Sequence, residues 1–379
     1  MSDLYTANTP SGFWKPDPEL EPEAWAAVIQ EALSACPEIA DVYTEGGWES
    51  LAEHILGESR FGVNHWQLSR SKRLYYDIVR PILPRQIRPI MRRLVRSRKM
   101  NGVALDWPIE DRYVRFLYAI LEAAQRRHPW ISASPFWPSG ARFAFVLTHD
   151  IETAAGQTRV CELADIEEEI GFRSSFNFVP EGYRIDASLQ AELRKRGFEI
   201  GVHGLKHDGR LFSSRIKFEE RAVLINRYLK AWGAVGFRAP FTHRNPEWMQ
   251  ALDIEYDSSF FDTDPFEPIP GGTISIWPFF CGRFVELPYT LPQDHTLYEM
   301  YGPGAVDIWT RKVDFIAKWG GMALVNVHPD YTCAEDNIGL YRRFLMAVKE
   351  KADYWHALPR EAARWWRNRA EERSNSRTD

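Results

Sequence analysis

From residue 143 onward the chain is punctuated by short apolar runs, FAFVLT, SSFNFV, FEIGVH, VGFRAP, FVELPY and MALVNVH, with helical patterns filling the intervals. Strands alternating with helices dictate a parallel sheet or barrel, with reactive side chains gathered where strands end. The first run shows the pattern most clearly. FAFVLTHDIETAAG, residues 143 to 156, is apolar until it meets His149, Asp150 and Glu152. A strand buried along its length places its polar residues at the carboxyl end, the active-site end of such folds.

Residues 1 to 138 read differently. EPEAWAAVIQEALSAC, WESLAEHILGES and RYVRFLYAILEAAQRR carry apolar residues at three- and four-residue spacing, and alternating strand patterns are nearly absent. The periodicity breaks at the proline-containing HPWISASPFWPSGARF, which sets a boundary near residue 138. The expected organisation is a helical region over 1 to 138, an α/β barrel over 139 to 358, and a C-terminal helix end with a frayed tail over 359 to 379. With 379 residues, 45% of them hydrophobic, the chain exceeds what one core of typical size needs and predicts one large or two unequal domains.

A formal net charge of −5 argues against a surface built to meet nucleic acid. The four cysteines, Cys36, Cys161, Cys281 and Cys333, are too scattered for a zinc knuckle or redox motif and read as reduced, buried thiols. The beginning MSDLYTANTPSGFWKPDPEL lacks the pattern of a secretory leader, and no run of about 18 apolar residues occurs, so the expected location is the cytoplasm.

The chemistry-bearing residues come in order along the chain: Asp150 and Glu152, then His203 and His207 in HGLKH, then His328 in VNVHPDY. Two imidazoles four apart can face the same way on a helical turn and bind a metal ion. A carboxylate can complete a three-ligand site with a position left open for water.

Taken together, THDIE, SSFNFV, HGLKHDG, GFRAPF and VNVHPDY resemble the successive motifs of the polysaccharide deacetylases, carbohydrate esterase family four, also called the NodB homology domain. The resemblance covers about residues 140 to 345 and does not extend to the helical third. It implies a deformed (β/α) barrel and a divalent metal, usually zinc. It implies Asp150 as general base and Glu152, His203 and His207 as metal ligands. The commonest family form sets two aspartates side by side, whereas here Ile151 separates an aspartate from a glutamate. Residues i and i+2 of a strand share a face, so both acids can reach one site, with the question of which touches the metal left open.

By the same resemblance Arg238 pairs with Asp150 through a bidentate guanidinium, which holds the carboxylate ionised. Pro240 and Phe241 shape the turn whose backbone N–H, after the proline, helps hold the oxyanion. His328 is the catalytic acid, with Asp257 and Asp294 as candidates to orient it and His295 lining the cleft. His149 is expected to point away from Asp150 by strand alternation. Trp277, Tyr289, Tyr301 and Tyr331 can stack on sugar rings or serve the core.

The activity implied is removal of acetyl groups from an acetylated sugar of a surface polysaccharide or its precursor. Its rivals are an inactive barrel that binds glycan or scaffolds a complex, and an amidase on a small non-sugar substrate. One segment stands outside these motifs. RPILPRQIRPIMRRLVRSRK, residues 80 to 99, holds eight basic residues and no acidic one. It can meet an anionic membrane surface, at about 1 kcal/mol per basic residue, which suits a lipid-linked saccharide substrate. The more ordinary reading is a charged helix paired with acidic surface elsewhere.

Overall fold

A computed structural model describes residues 3–44, 46–62, 105–267, 269, 271–334 and 337–371. The basic segment 80–99 lies outside the described residues. All the apolar runs named above form strands. β1 (Phe143–Ile151), β2 (Ser175–Phe178), β3 (Glu199–His203), β4 (Gly236–Arg238), β7 (Phe284–Glu286) and β8 (Met322–Val327) are joined by β5 (Tyr256–Asp257), β6 (Phe279–Cys281) and β9 (Tyr354–His356).

The sheet order is β6-β7-β5-β4-β3-β2-β1-β8. β1 to β5, β7 and β8 run parallel, and β6 pairs antiparallel with β7. β9 lies along the first half of β1, where Phe143 faces Tyr354, and β2 takes over along the second half, where Asp150 faces Asn177. The chain leaving β7 closes the curl. Tyr289 N–H donates to Phe260 O at 3.0 Å, and Thr290 and Leu291 N–H donate to Leu324 O at 3.1 and 3.0 Å. The result is a deformed α/β barrel, as expected.

All nine residues of β1 are buried, because helices cover one face and the barrel interior the other. Removing side chains such as Phe145 and Leu147 from water contributes about 1.5–3 kcal/mol each. The covering helices start and stop where their caps say. Asp186 accepts from Ser188 and Leu189 N–H to open Ala187–Lys195, and Ser214 opens Arg215–Trp232, which ends on left-handed Gly233.

The expected helical patterns upstream form Pro22–Ala35, Gly47–Ile55 and Arg112–Arg127. Their apolar side chains run into the same core as the barrel's. Phe13 packs edge-on against Trp277 at 5.0 Å between ring centroids, and Tyr5 approaches Phe279 at 6.2 Å. The helix Pro359–Glu371 seals this seam, with Arg369 donating to Phe13 O and Pro135 O. All four cysteines are free thiols. Among the described residues no helix is long and apolar enough to cross a membrane.

Candidate active site and metal centre

The carboxyl ends of β1, β3, β4 and β8 converge on one pole of the barrel. Asp150 is the inward side chain nearest the end of β1. Asn177 of β2 donates to its Oδ1 at 3.1 Å, and Asn326 of β8 donates to its Oδ2 at 2.8 Å. Gly201, opposite Asn177, makes the first bond possible, since a Cβ there would sit 2.0 Å from the asparagine Oδ1. Burial pushes the Asp150 carboxyl up, but the neighbouring His203 imidazole, Arg238, His328 and the Asn177 bond outweigh it and hold the group at about 2.

Arg238 is fully buried beside it, with a difference from expectation. Its guanidinium donates from Nε to Ser258 O at 2.7 Å and from NH1 to Thr148 Oγ1 at 2.9 Å. Asp150 Oδ1 receives one long contact of 3.5 Å from NH1 rather than a bidentate pair. The planar fork is anchored by the backbone and Thr148, so it acts on Asp150 mainly as a nearby fixed charge.

Glu152 follows β1 directly and lies on the same side as Asp150. Its Oε1 is 3.0 Å from His207 Nε2, 3.9 Å from His203 Nε2 and 3.7 Å from His328 Nε2. Burial raises its carboxyl, and the imidazoles of His207 and His203 more than reverse this, holding it well below the usual range. His203 is the last residue of β3, and His207 sits in the irregular loop beyond it rather than on the helical turn expected from the spacing. Gly204, at φ +63°, bends the chain between them.

The two imidazoles look built for a cation. His203 Nδ1 faces Arg238 O at 3.1 Å, which as a donor leaves Nε2 as a lone-pair nitrogen. The Nε2 atoms of His203 and His207 are buried and make no hydrogen bond, the 3.0 Å approach of His207 to Glu152 lying outside hydrogen-bond geometry. Ligand atoms of Glu152, His203 and His207 lie within 4.8 Å of one another. Two orphaned nitrogens facing a carboxylate fit a divalent cation with three protein ligands.

His328 follows β8. Its Nδ1 faces Asp294 Oδ1 at 2.8 Å, and its backbone N–H donates to Asp294 Oδ2 at 2.8 Å. Its Nε2 points into the site, 3.8 Å from Asp150 Oδ2. Burial alone would lower this imidazole, but Asp294, then Glu152 and Asp150, push it up to about 10. Asp294, His295 and His328 also lie within metal-ligand reach of each other, yet the bond between Asp294 and His328 Nδ1 occupies that space with a proton. Asp257, the other candidate orienter, is in β5 and accepts instead from Ser259 N–H and Oγ.

His295 sits beside this pair, 5.6 Å from the His328 ring and 5.4 Å from Tyr331. Phe241 lies over His207 at 4.2 Å. Phe241 and Thr242 both take left-handed backbone, at φ +59° and +54°, a conformation that costs about 1–3 kcal/mol for each non-glycine residue. Pro240 packs against Gly204, so the turn and the His203–His207 loop set each other's position.

Of the four aromatic candidates, Trp277 and Tyr289 are buried in the core and Tyr301 stacks on Trp107. Tyr331, 39% exposed, is the one beside the site. His149 points to the opposite face, with Nε2 2.6 Å from Glu167 Oε1. Asn177 and Asn326 escaped the sequence reading, although each is a single amide inside an apolar strand, SFNF and VNV, which is a legible signal.

Comparison with solved structures returns this barrel. A protein assigned as a polysaccharide deacetylase from Mycobacterium smegmatis aligns with 61% of this chain and 92% of its own, at 20% identity and a TM-score of 0.50. One assigned likewise from Pseudomonas aeruginosa PAO1 gives 62%, 94%, 15% and 0.51. The allantoinase Puue gives 62%, 93%, 14% and 0.51. No family model and no curated protein matches the chain. At these identities the likeness is one of fold.

Proposed function

We propose that this chain, which has the polysaccharide deacetylase fold, is a metal-dependent hydrolase that removes acetyl groups from an acetylated sugar of a surface polysaccharide or its precursor. One observation carries the reading: Glu152, His203 and His207 meet within 4.8 Å, beside an ionised Asp150 and a protonated His328. The three ligands would hold a divalent cation, zinc by the chemistry of the donor set. When bound, such a cation supplies Lewis-acid polarisation and makes water more acidic.

The chain's own residues divide the proton traffic. Asp150 takes the proton of the attacking water, and its two asparagine donors fix the carboxylate for that transfer. The backbone N–H after Pro240 donates to the oxygen of the tetrahedral species. His328, kept protonated by Asp294, delivers a proton to the departing nitrogen or oxygen. Phe241, His295 and Tyr331 border the space the sugar would occupy. Location in the cytoplasm and contact of segment 80–99 with an anionic membrane would bring the site to lipid-linked saccharides.

The test is acetate release from acetylated oligosaccharides by the wild type and Asp150→Asn. Loss of release in the variant is expected, and an equal rate would remove the base from the mechanism. The presence of an allantoinase among proteins of this fold favours, as a second reading, hydrolysis of a small cyclic amide. Profiling acetylated amino sugars against cyclic amides separates the two. An inactive glycan-binding barrel is the remaining rival, and the orphaned imidazole nitrogens count against it.

A further inference from the structure

The strained turn at Phe241 and Thr242 is tied to the helical N-terminal region. Glu58, in the loop after the helix Gly47–Ile55, reaches across to Arg244, 186 residues away. The pair is bidentate, with Arg244 Nε donating to Glu58 Oε2 at 2.7 Å and NH2 to Oε1 at 2.5 Å. Each side chain is 1% exposed. The guanidinium lies over the rings of Phe260 and Phe261, at 4.9 and 4.6 Å from their centroids. Its remaining nitrogen, NH1, donates to Thr242 O at 2.9 Å.

Glu58 Oε1 also accepts from Gly272 N–H at 3.0 Å, in the loop that carries Glu267. Glu267 Oε2 accepts from Thr242 Oγ1 at 2.9 Å, and Glu267 Oε1 from Gln293 Nε2 at 2.6 Å. The left-handed turn is therefore gripped at its carbonyl by Arg244 and at its hydroxyl by Glu267. Glu58 anchors the first grip directly and also bonds Gly272, beyond Glu267 in the chain. A strained backbone persists only where its surroundings over-determine it, and this arrangement does so.

We infer that Glu58 and Arg244 are positioning residues for the site, and that the N-terminal region serves the reaction by clamping the Phe241–Thr242 turn. The clamp fixes the N–H after Pro240 and the Phe241 ring over His207. The inference rests on the deacetylase reading for its catalytic meaning. The clamp itself stands on the contacts.

The test uses the full chain carrying Glu58→Gln together with Arg244→Met. This removes both charges of the pair at once, avoiding the unpaired buried charge that either single change would leave, and the glutamine keeps an acceptor for Gly272 N–H. The double variant should remain folded, with a cooperative melting transition. Amide hydrogen exchange in a peptide spanning residues 239–243 should quicken at least about tenfold while peptides of β1 and β3 stay unchanged. For acetate release, kcat should fall about tenfold with KM within about twofold, as expected when an oxyanion donor is loosened rather than removed.

Exchange at the wild-type rate in the folded double variant would overturn the clamp, and faster exchange with unchanged kcat would overturn its role in the reaction. Absence of acetate release from the wild type sinks the deacetylase reading alone, because the exchange measurement still decides the clamp. Should the double variant not fold, Arg244→Lys takes its place, since an ammonium on a flexible stem lacks the rigid fork that holds Glu58 bidentately while a third nitrogen fixes Thr242 O, and the same two readouts apply.

Discussion

Asp294 holds His328 twice, through Nδ1 at 2.8 Å and through the backbone N–H at 2.8 Å. Thr332 Oγ1 donates to the same carboxylate at 2.8 Å, so Asp294 itself cannot turn. A ring gripped at one nitrogen and at its own main chain has a single orientation, and that orientation points Nε2 at Asp150 and Glu152.

Replacing Asp294 by asparagine keeps the size of this support and removes its charge. The imidazole loses the partner that holds its proton. Acetate release by Asp294→Asn is expected to fall about a hundredfold or more in kcat, the range of a positioned proton donor. A kcat close to the wild-type value would remove His328 from the role of acid.

His203→Ala and His207→Ala each delete one of three ligands. Elemental analysis of the purified wild type should find one equivalent of zinc or a similar ion, and each variant should bind it at least about a hundredfold more weakly, beyond the loss from an outer-shell change. Chelation should lower the melting temperature of the wild type and leave the variants unmoved. A wild type indifferent to chelator, with no bound ion, would return the barrel to the glycan-binding reading.

Gly204 carries two constraints at once. Its φ is +63°, and a Cβ there would sit 2.5 Å from Pro240 Cγ and Cδ. Gly140 has a similar φ of +73° with nothing within 4 Å, which isolates the backbone effect. Denaturant unfolding should show Gly140→Ala costing about 1 kcal/mol and Gly204→Ala about 2–4 kcal/mol, the excess coming from the clash. The Gly204 variant should also bind the cation more weakly, since the displaced loop carries His207. Equal costs at the two glycines would contradict the packing described.

Glu199, at the amino end of β3, is a buried carboxyl at the opposite end of the strand from His203, accepting from Tyr256 Oη at 2.9 Å and Arg360 N–H at 3.1 Å. Burial raises it from an ordinary 4.5 to about 7 despite these bonds. A carboxyl raised on folding contributes stability that is complete below the unfolded value and is lost as pH rises through about 7. Glu199→Gln imitates the protonated form. Relative to the wild type it should gain on the order of 2–3 kcal/mol between about pH 4 and about pH 8, read by denaturant midpoints. A difference that stays constant over this range would mean that Glu199 is ionised in the fold.

The strands at the site were legible because a barrel strand covered on both faces must be apolar, so its polar residues mark its end. FAFVLT and MALVNVH became β1 and β8 with Asp150 and His328 at their mouths. β5, β6 and β9 were not, since two or three residues make no period. The spacing of His203 and His207 suggested a helix, whereas the chain bends at Gly204. Asp257 and Asp294 looked alike as partners for His328, because the distance from a carboxylate to an imidazole is a matter of topology. The bidentate pairing expected of Arg238 gave way to Ser258 O, which no motif contains, and to Thr148, whose place in THDIE does not show that it would take the guanidinium.

Local pattern alone settled the alternation of strand and helix, the helices among the described residues of the first third, and the residue types able to bind a cation and move protons. Those properties follow from periodicity and side-chain chemistry, which are local. The convergence of Glu152 with His203 and His207, the choice of Asp294, the asparagines on Asp150 and the reach of Glu58 to Arg244 were decided only when the sheet curled. Each joins segments whose separation along the chain carries no trace of their distance in space.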